Sequence, residues 1–325
     1  MRALVWDGAT ARVSERPPPR PAPGMALLRV LWAGICNTDL EIVKGYMNFR
    51  GVLGHEFVGV VEEGPAEWLH RRVVAEINFA CGACPLCARQ LGRHCAKRTV
   101  MGILGADGAF AERVAVPVAN LHLVPEAIAT EAAVFIEPLA AAFEILEQVR
   151  VQPGTPAIVL GDGKLGLLVA QVLHHAGAQV LAVGKHDDKL AVLRRRGIET
   201  CALDRCASVD AEVVVDASGS ANGFADAVRM TRPRGTLVLK STVAEPSRLH
   251  LAPLVINEIT LVGSRCGRFA PALRALEQQR IDVESLIAAR FPLRDGERAL
   301  RAAAVPGSLK VLLEIGSADS RATSA

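Results

Sequence analysis

What most restricts the fold of this chain is a change of rhythm after residue 156. Stretches 157–160, 180–183, 213–216, 236–240 and 258–262 are short apolar runs of strand type, and 164–176, 189–196 and 221–230 between them have helical spacing. Strands that alternate with helices over such a length build a parallel, doubly wound α/β sheet. Further on, 270–279 and 294–303 look helical and 310–315 forms a last strand.

Between the first strand and helix of that run stands Gly161-Asp162-Gly163-Lys164-Leu165-Gly166, a G-x-G-x-x-G. After a strand and at the opening of a helix, this pattern is a dinucleotide-binding turn. Gly161 and Gly163 permit the tight turn and the close approach of a pyrophosphate. Gly166 lets helix and strand pack, and the helix N-terminus turns its N–H groups toward phosphate. The second strand ends on Gly184-Lys185, where an NAD site has a carboxylate for the ribose 2′-hydroxyl. Gly184 cannot repel a 2′-phosphate and Lys185 attracts one, so the expected cofactor is NADP in preference to NAD. The competing possibility is that Asp187 or Asp188 slips back to serve NAD.

The N-terminal half has another grammar. Stretches 3–6, 12–14, 27–33, 57–62, 73–77 and 108–116 are short and β-like, with a proline-rich connector at 17–24. Within it stand Cys81, Cys84, Cys87 and Cys95, half of the eight cysteines in fifteen residues. Two-residue gaps let four thiolates close on one tetrahedral zinc, a structural site with no vacancy for chemistry. Arg89, Arg93, Lys97 and Arg98 make a solvated face, not the aromatic and basic surface of a nucleic-acid module.

A second group is Cys36, with Thr38 two residues on, and the pair His55-Glu56. Thiolate, imidazole and carboxylate are the donors of a zinc that keeps a position open for water or substrate. Glu137, in the apolar run around Glu137-Pro138-Leu139, is a carboxylate that burial would oblige to find a cation or hydrogen bonds.

The net charge of +3 over 325 residues is too small to invoke nucleic acid or an anionic membrane as partner. With no long apolar span and no apolar leader after Met1, the expected location is the cytoplasm, where the cysteines stay reduced or metal-bound. Cys201, Cys206 and Cys266 are then ordinary thiols.

Taken in order, Gly34-Ile35-Cys36-x-Thr38-Asp39, Gly54-His55-Glu56, the cysteine quartet, Glu137-Pro138-Leu139 and the glycine turn resemble a zinc-dependent medium-chain alcohol dehydrogenase over nearly the whole chain. The resemblance implies a GroES-like catalytic domain over 1–138 carrying the structural zinc lobe at 81–95. It implies a Rossmann domain over 139–266 and a return to the first domain over 267–325, with a disordered tail from about 316. One catalytic and one structural zinc, a small alcohol or ketone substrate and a homodimer or homotetramer follow as expectations.

Position by position, Cys36 and His55 match catalytic zinc ligands. Glu56 and Glu137 match the carboxylates that bind that zinc or hold its water, and Thr38 matches the hydroxyl that relays the alcohol's proton. Asp39 would orient a ligand, and Thr242 and Arg265 would touch the cofactor. Glutamate before Pro-Leu points to the polyol, sugar and threonine dehydrogenase branch, with a secondary alcohol as substrate. The alternatives are a reductase of small aldehydes or ketones, or a nucleotide binder without catalysis. Glu41 stands where some members carry a histidine relay. The chain departs from the pattern in three ways: 46–52 is short, His70-Arg71 replaces a usual Gly-Asp, and the whole is somewhat shorter than most members.

Overall fold

β1 (Met25–Ile35) is the spine of the N-terminal half, mostly buried on both faces. That agrees with its near-continuous apolar sequence, since a strand covered on both sides does not alternate. The chain then turns through a six-residue helix, α1 (Asn37–Ile42), and returns as β2 (Glu56–Glu63). β2 runs antiparallel to β1, with Gly34 opposite Glu56 and Ala33 opposite Phe57. The computed structural model describes residues 1–206, 210–220, 222–241 and 250–316, so Thr242, Ala221 and the tail beyond Gly316 lie outside the described residues.

Arg72–Ala75 and Leu121–Leu123 continue this sheet beyond β2, and Arg113–Pro117 pairs with the first part of β1. The strand expected over 108–116 begins only at Arg113. Before it, the N–H groups of Gly108, Ala109 and Phe110 go to the carbonyls of Val52, Gly54 and Leu53, an approach so close that a Cβ on Gly108 would lie 2.3 Å from Leu53 O. His70, at the place of the usual glycine, has φ +61°, the left-handed conformation that glycine adopts at least cost.

α2 (Ile136–Gln148) carries the chain into a second compact unit, Pro138–Leu286; the first is Met1–Glu137 with Ile287–Ala325. In the second unit follow β3 (Pro156–Leu160), α3 (Lys164–His175), β4 (Gln179–Gly184), α4 (Asp187–Arg194) and β5 (Glu199–Ala202). Next come β6 (Ala211–Asp216), α5 (Gly223–Arg229), β7 (Thr231–Leu239) and β8 (Thr260–Gly263). All six strands are parallel, in the order β5-β4-β3-β6-β7-β8, so the winding reverses between β3 and β6, where such sheets bind ligands. β5, which the sequence pattern did not announce, is only four residues, Glu199 exposed and the other three half-buried.

α6 (Phe269–Glu277) stays in the second unit, and the chain returns to the first at Ile287 instead of near 267. The segment is pinned there: the Gln171 side chain accepts from the N–H of Asp282 at 2.7 Å and donates to its carbonyl at 3.0 Å. Gly267 packs on α2, where a Cβ would lie 1.9 Å from Ala140 O. The return consists of β9 (Ile287–Pro292), α7 (Gly296–Ala303) and β10 (Lys310–Glu314). β10 joins the first sheet beside β1, with Leu312 opposite Gly34, and β9 lies parallel outside it. No helix among the described residues is long and apolar enough to cross a membrane.

Candidate active site and zinc lobe

Cys36 follows β1 as the N-cap of α1, and His55 stands just before Glu56, which opens β2, so the antiparallel pairing of the two strands brings three donors to one end of the sheet. One ligand atom from each of Cys36, His55 and Glu56 lies within 4.8 Å of the others. The half-turn between them is held by Asp39, wholly buried. Its carboxylate accepts from the N–H of Cys36 at 2.8 Å and of Gly54 at 3.3 Å, and its Oδ1 stands 3.3 Å from His55 Nδ1. Asp39 thus stands behind the imidazole, the place from which a metal-binding histidine is usually supported, although His55 Nδ1 makes no hydrogen bond among the described residues. Burial works against a charge on His55, but Asp39, aided by Cys36, outweighs it and holds the imidazole pKa well above its ordinary value.

The donor set fits a zinc with an open position. A further sign is Glu56 Oε1, a buried carboxylate oxygen with no hydrogen-bond partner, which is costly unless a cation meets it. Thr38 Oγ1 stands 3.8 Å from Cys36 Sγ. Glu137, half-buried at the start of α2, is not one of the three clustered donors, although its charge reaches Lys310. Glu41 is paired with Lys44 at 2.9 Å.

One residue escaped the sequence pattern altogether. Lys310, the first of β10 and 1% exposed, places Nζ against Glu56 Oε2. Burial opposes its charge, and Glu56, then Cys36 and Glu137, outweigh burial and raise its pKa above the lysine norm. The two side chains meet over Gly34, where a Cβ would lie 2.7 Å from Glu56 Oε2, 2.8 Å from Val134 Cγ1 and 3.2 Å from Lys310 Cδ. Only a lysine arriving from 254 residues away exposes this role, and no local spacing signals it.

In the cysteine lobe, Sγ of Cys84 lies 3.4 Å from that of Cys87 and 3.8 Å from that of Cys95, and Cys81 lies 4.0 Å from Cys87. Four sulfurs each about 2.3 Å from one ion at the corners of a tetrahedron stand about 3.8 Å apart, so the quartet has the size of a closed zinc site. The N–H of Ala83, with the Cys95 thiol and the N–H of Cys84, lowers the Cys81 pKa, whereas burial and the neighbouring thiols push that of Cys87 up: without an ion the quartet shares its charge unevenly.

In the second unit, Gly161 has φ +120°, and a Cβ on Gly166 would lie 2.0 Å from Gly161 O, so both glycines are obligatory for the turn. Gly163 faces open space, and no side chain caps the N-terminus of α3 that begins with Lys164 and Leu165. Those features fit a pyrophosphate. At Gly184 the structure adds a residue not singled out from sequence: Asp162 Oδ2 accepts from the N–H of Lys185 at 2.6 Å and of His186 at 2.7 Å, and meets His186 Nδ1 at 3.0 Å. Lys189 Nζ is 3.3 Å from the same imidazole nitrogen, and Lys185 is exposed. Beyond β7, Lys240 donates to the carbonyls of Ala141 at 2.7 Å and Arg265 at 2.9 Å, bracing the loop after β8.

Comparison with known proteins gives two family matches, to the alcohol dehydrogenase GroES-like domain over residues 22–126 and to the zinc-binding dehydrogenase model over 165–279. The sorbitol dehydrogenase of Halalkalibacterium halodurans is 27% identical over 93% of this chain and 94% of its own. The L-galactonate-5-dehydrogenase of Escherichia coli is 28% identical over 90% of this chain and 89% of its own. Among solved structures, an alcohol dehydrogenase (rspB) from Escherichia coli CFT073 complexed with NADH superposes with a TM-score of 0.89 at 26% identity, over 97% of this chain and 99% of that one.

Proposed function

The chain belongs to the zinc-dependent medium-chain alcohol dehydrogenases, and from that premise we propose that it interconverts a polyol or sugar-like secondary alcohol and its ketone with NAD(P). The observation that carries the reading is the meeting of Cys36, His55 and Glu56 at one point of a buried sheet end.

A zinc held there would supply Lewis acidity, drawing electron density from the substrate's hydroxyl oxygen and lowering its pKa. The chain's own residues do the rest. Asp39 holds the Cys36 turn in place and stands beside His55, and Glu56 keeps Oε1 clear of any hydrogen-bond partner among the described residues. Thr38 Oγ1 takes the substrate's hydroxyl proton and passes it outward. A nicotinamide bound at the glycine turn would accept the hydride from the carbinol carbon, so that the balance is ketone, reduced nucleotide and a proton. Glu137 supports the site as a neighbouring carboxylate rather than as one of the three donors. Cys81, Cys84, Cys87 and Cys95 would hold a second zinc, which would brace the lobe without taking part.

The nucleotide is NADP(H) in this reading. Gly184 offers no carboxylate to the ribose, and Lys185 and Lys189 bring positive charge beside it, with the His186 ring 3.3 Å from Lys189 Nζ. The Asp162 carboxylate is already taken up by two N–H groups and an imidazole, which tempers its repulsion of a 2′-phosphate. Arg265 would contact the nucleotide from the loop that Lys240 braces. The assembly is a homodimer formed on the open edge of the parallel sheet. There β8 leaves Leu261 exposed, and the short helix before it leaves Val255 and Ile256 exposed at 77% and 79%, an apolar edge of the kind a second copy covers. The setting is the cytoplasm.

The deciding experiment is metal analysis combined with a screen of polyols and sugar acids. Two zincs per chain and NADP-linked turnover are expected, with Cys36→Ser losing one zinc and all turnover while still binding nucleotide. One zinc in the wild type would leave only a nucleotide binder; turnover confined to small aldehydes would favour the reductase alternative.

A further inference from the structure

Lys310 is a buried ammonium in a nest of anions, and its position has a consequence for the metal site. Its Nζ engages Glu56 Oε2, while Glu56 Oε1 has no partner and belongs to the side chain that joins Cys36 and His55. The two oxygens of one carboxylate are therefore inequivalent. An ammonium in contact with Oε2 repels a divalent cation from that oxygen, whereas Oε1 remains available. The arrangement is built into the sheet: Glu56 comes from β2, Lys310 from β10, and the strand between them has glycine where they cross.

We propose that Lys310 is a positioning residue that confines Glu56 to one oxygen, making it a weak and displaceable metal ligand and keeping a coordination position free for the substrate's oxygen. This rests on the reading of Cys36, His55 and Glu56 as the catalytic zinc site. Lys310 touches neither substrate nor metal in it; its effect passes through Glu56. A purely bracing role, tying β10 to β2, would give the opposite sign on metal retention, because loosening the fold releases metal. Removing a cation that competes for Glu56 should tighten it.

The test reads the metal rather than turnover. Wild type, Lys310→Met and Cys36→Ser are analysed for zinc and then challenged with a chelator; the release phase that Cys36→Ser lacks reports this site. In Lys310→Met that phase is expected to slow about tenfold or more, the scale of changes made just outside a metal's ligands. The visible bands of the cobalt-substituted protein should change at this site while those of the cysteine lobe stay the same. Release as fast as wild type, or faster, overturns the proposal. If Lys310→Met does not fold, Lys310→Arg serves: its forked guanidinium engages both carboxylate oxygens, and faster release is expected, with unchanged release overturning the idea. The slowing must also vanish when Lys310→Met is combined with Glu56→Gln, and its persistence would refute the route through Glu56. Two zincs in wild type with unaltered release removes this proposal alone; a single zinc removes the catalytic-metal reading and this proposal with it.

Discussion

Asp162 occupies the space that a side chain on Gly184 would need: a Cβ built there would lie 2.6 Å from both Asp162 Cβ and Oδ2. The carboxylate arrives from the turn after β3 and closes the first N–H groups beyond β4. Asp162 and Gly184 thus form a matched pair at the end of β4, one with a side chain and one without.

The pair makes Gly184 intolerant of any side chain. Gly184→Ala is expected to destabilise the second unit by about 1–3 kcal/mol, the cost of overpacking a filled site. It should also weaken NAD and NADP alike, as thermal unfolding and nucleotide fluorescence titration would show. Gly184→Asp meets the same obstacle, so it will not convert the site cleanly to NAD.

Asp162 also predicts a pH dependence. Burial alone would raise its pKa, but the N–H groups of His186 and Lys185 outweigh burial and lower it below the ordinary aspartate value of 3.8. A depressed carboxylate contributes stability that is fully present above the unfolded pKa and lost as pH falls through the folded one. Asp162→Asn should therefore cost about 1 kcal/mol near neutrality, the difference between a charged and a neutral acceptor. That cost should shrink below about pH 4, as urea unfolding at several pH values would test. A cost that grew toward acid would contradict the sign.

Lys185 tests the cofactor assignment. Losing a hydrogen bond to a charged group costs about 1.5–3 kcal/mol, so Lys185→Ala should raise the Kd for NADP⁺ about tenfold or more and leave that for NAD⁺ unchanged. Equal effects on both would argue that Lys185 is only solvated.

Gly34 is the counterpart of Gly184 in the first unit. Gly34→Ala pushes a methyl group into Glu56 Oε2 and Val134, both in a filled interior. A loss of about 1–3 kcal/mol is expected, together with loss of one zinc, since the carboxylate must move. Metal content that stayed whole would mean Glu56 is not needed for retention.

For the cysteine lobe, Cys84→Ser is expected to lower zinc by one equivalent and reduce the unfolding temperature, with the NADP⁺ Kd unaltered. Unchanged zinc would show that the four thiols fold without an ion.

Much of this protein is written in local pattern. The glycine turn, the βαβ rhythm and the cysteine spacing each act within a few residues, so periodicity and spacing sufficed for the two sheets and for the clustering of Cys81, Cys84, Cys87 and Cys95. The same holds for Cys36 with His55-Glu56, because one antiparallel turn joins them. β5 carries no period in its four half-polar residues, and no local pattern marks the return at Ile287, since the segment before it is held by Gln171 and Asp282 across 111 residues. Lys310 and Asp162 were decided by tertiary structure alone. A lysine at the start of a strand and an aspartate in a turn look solvated in one dimension; only the packing of β10 beside β1, and of β4 beside β3, brings each against a partner over a glycine that leaves room. Spacing along the chain specifies which atoms can share a neighbourhood, but burial and distance in three dimensions determine which charge is paired with which.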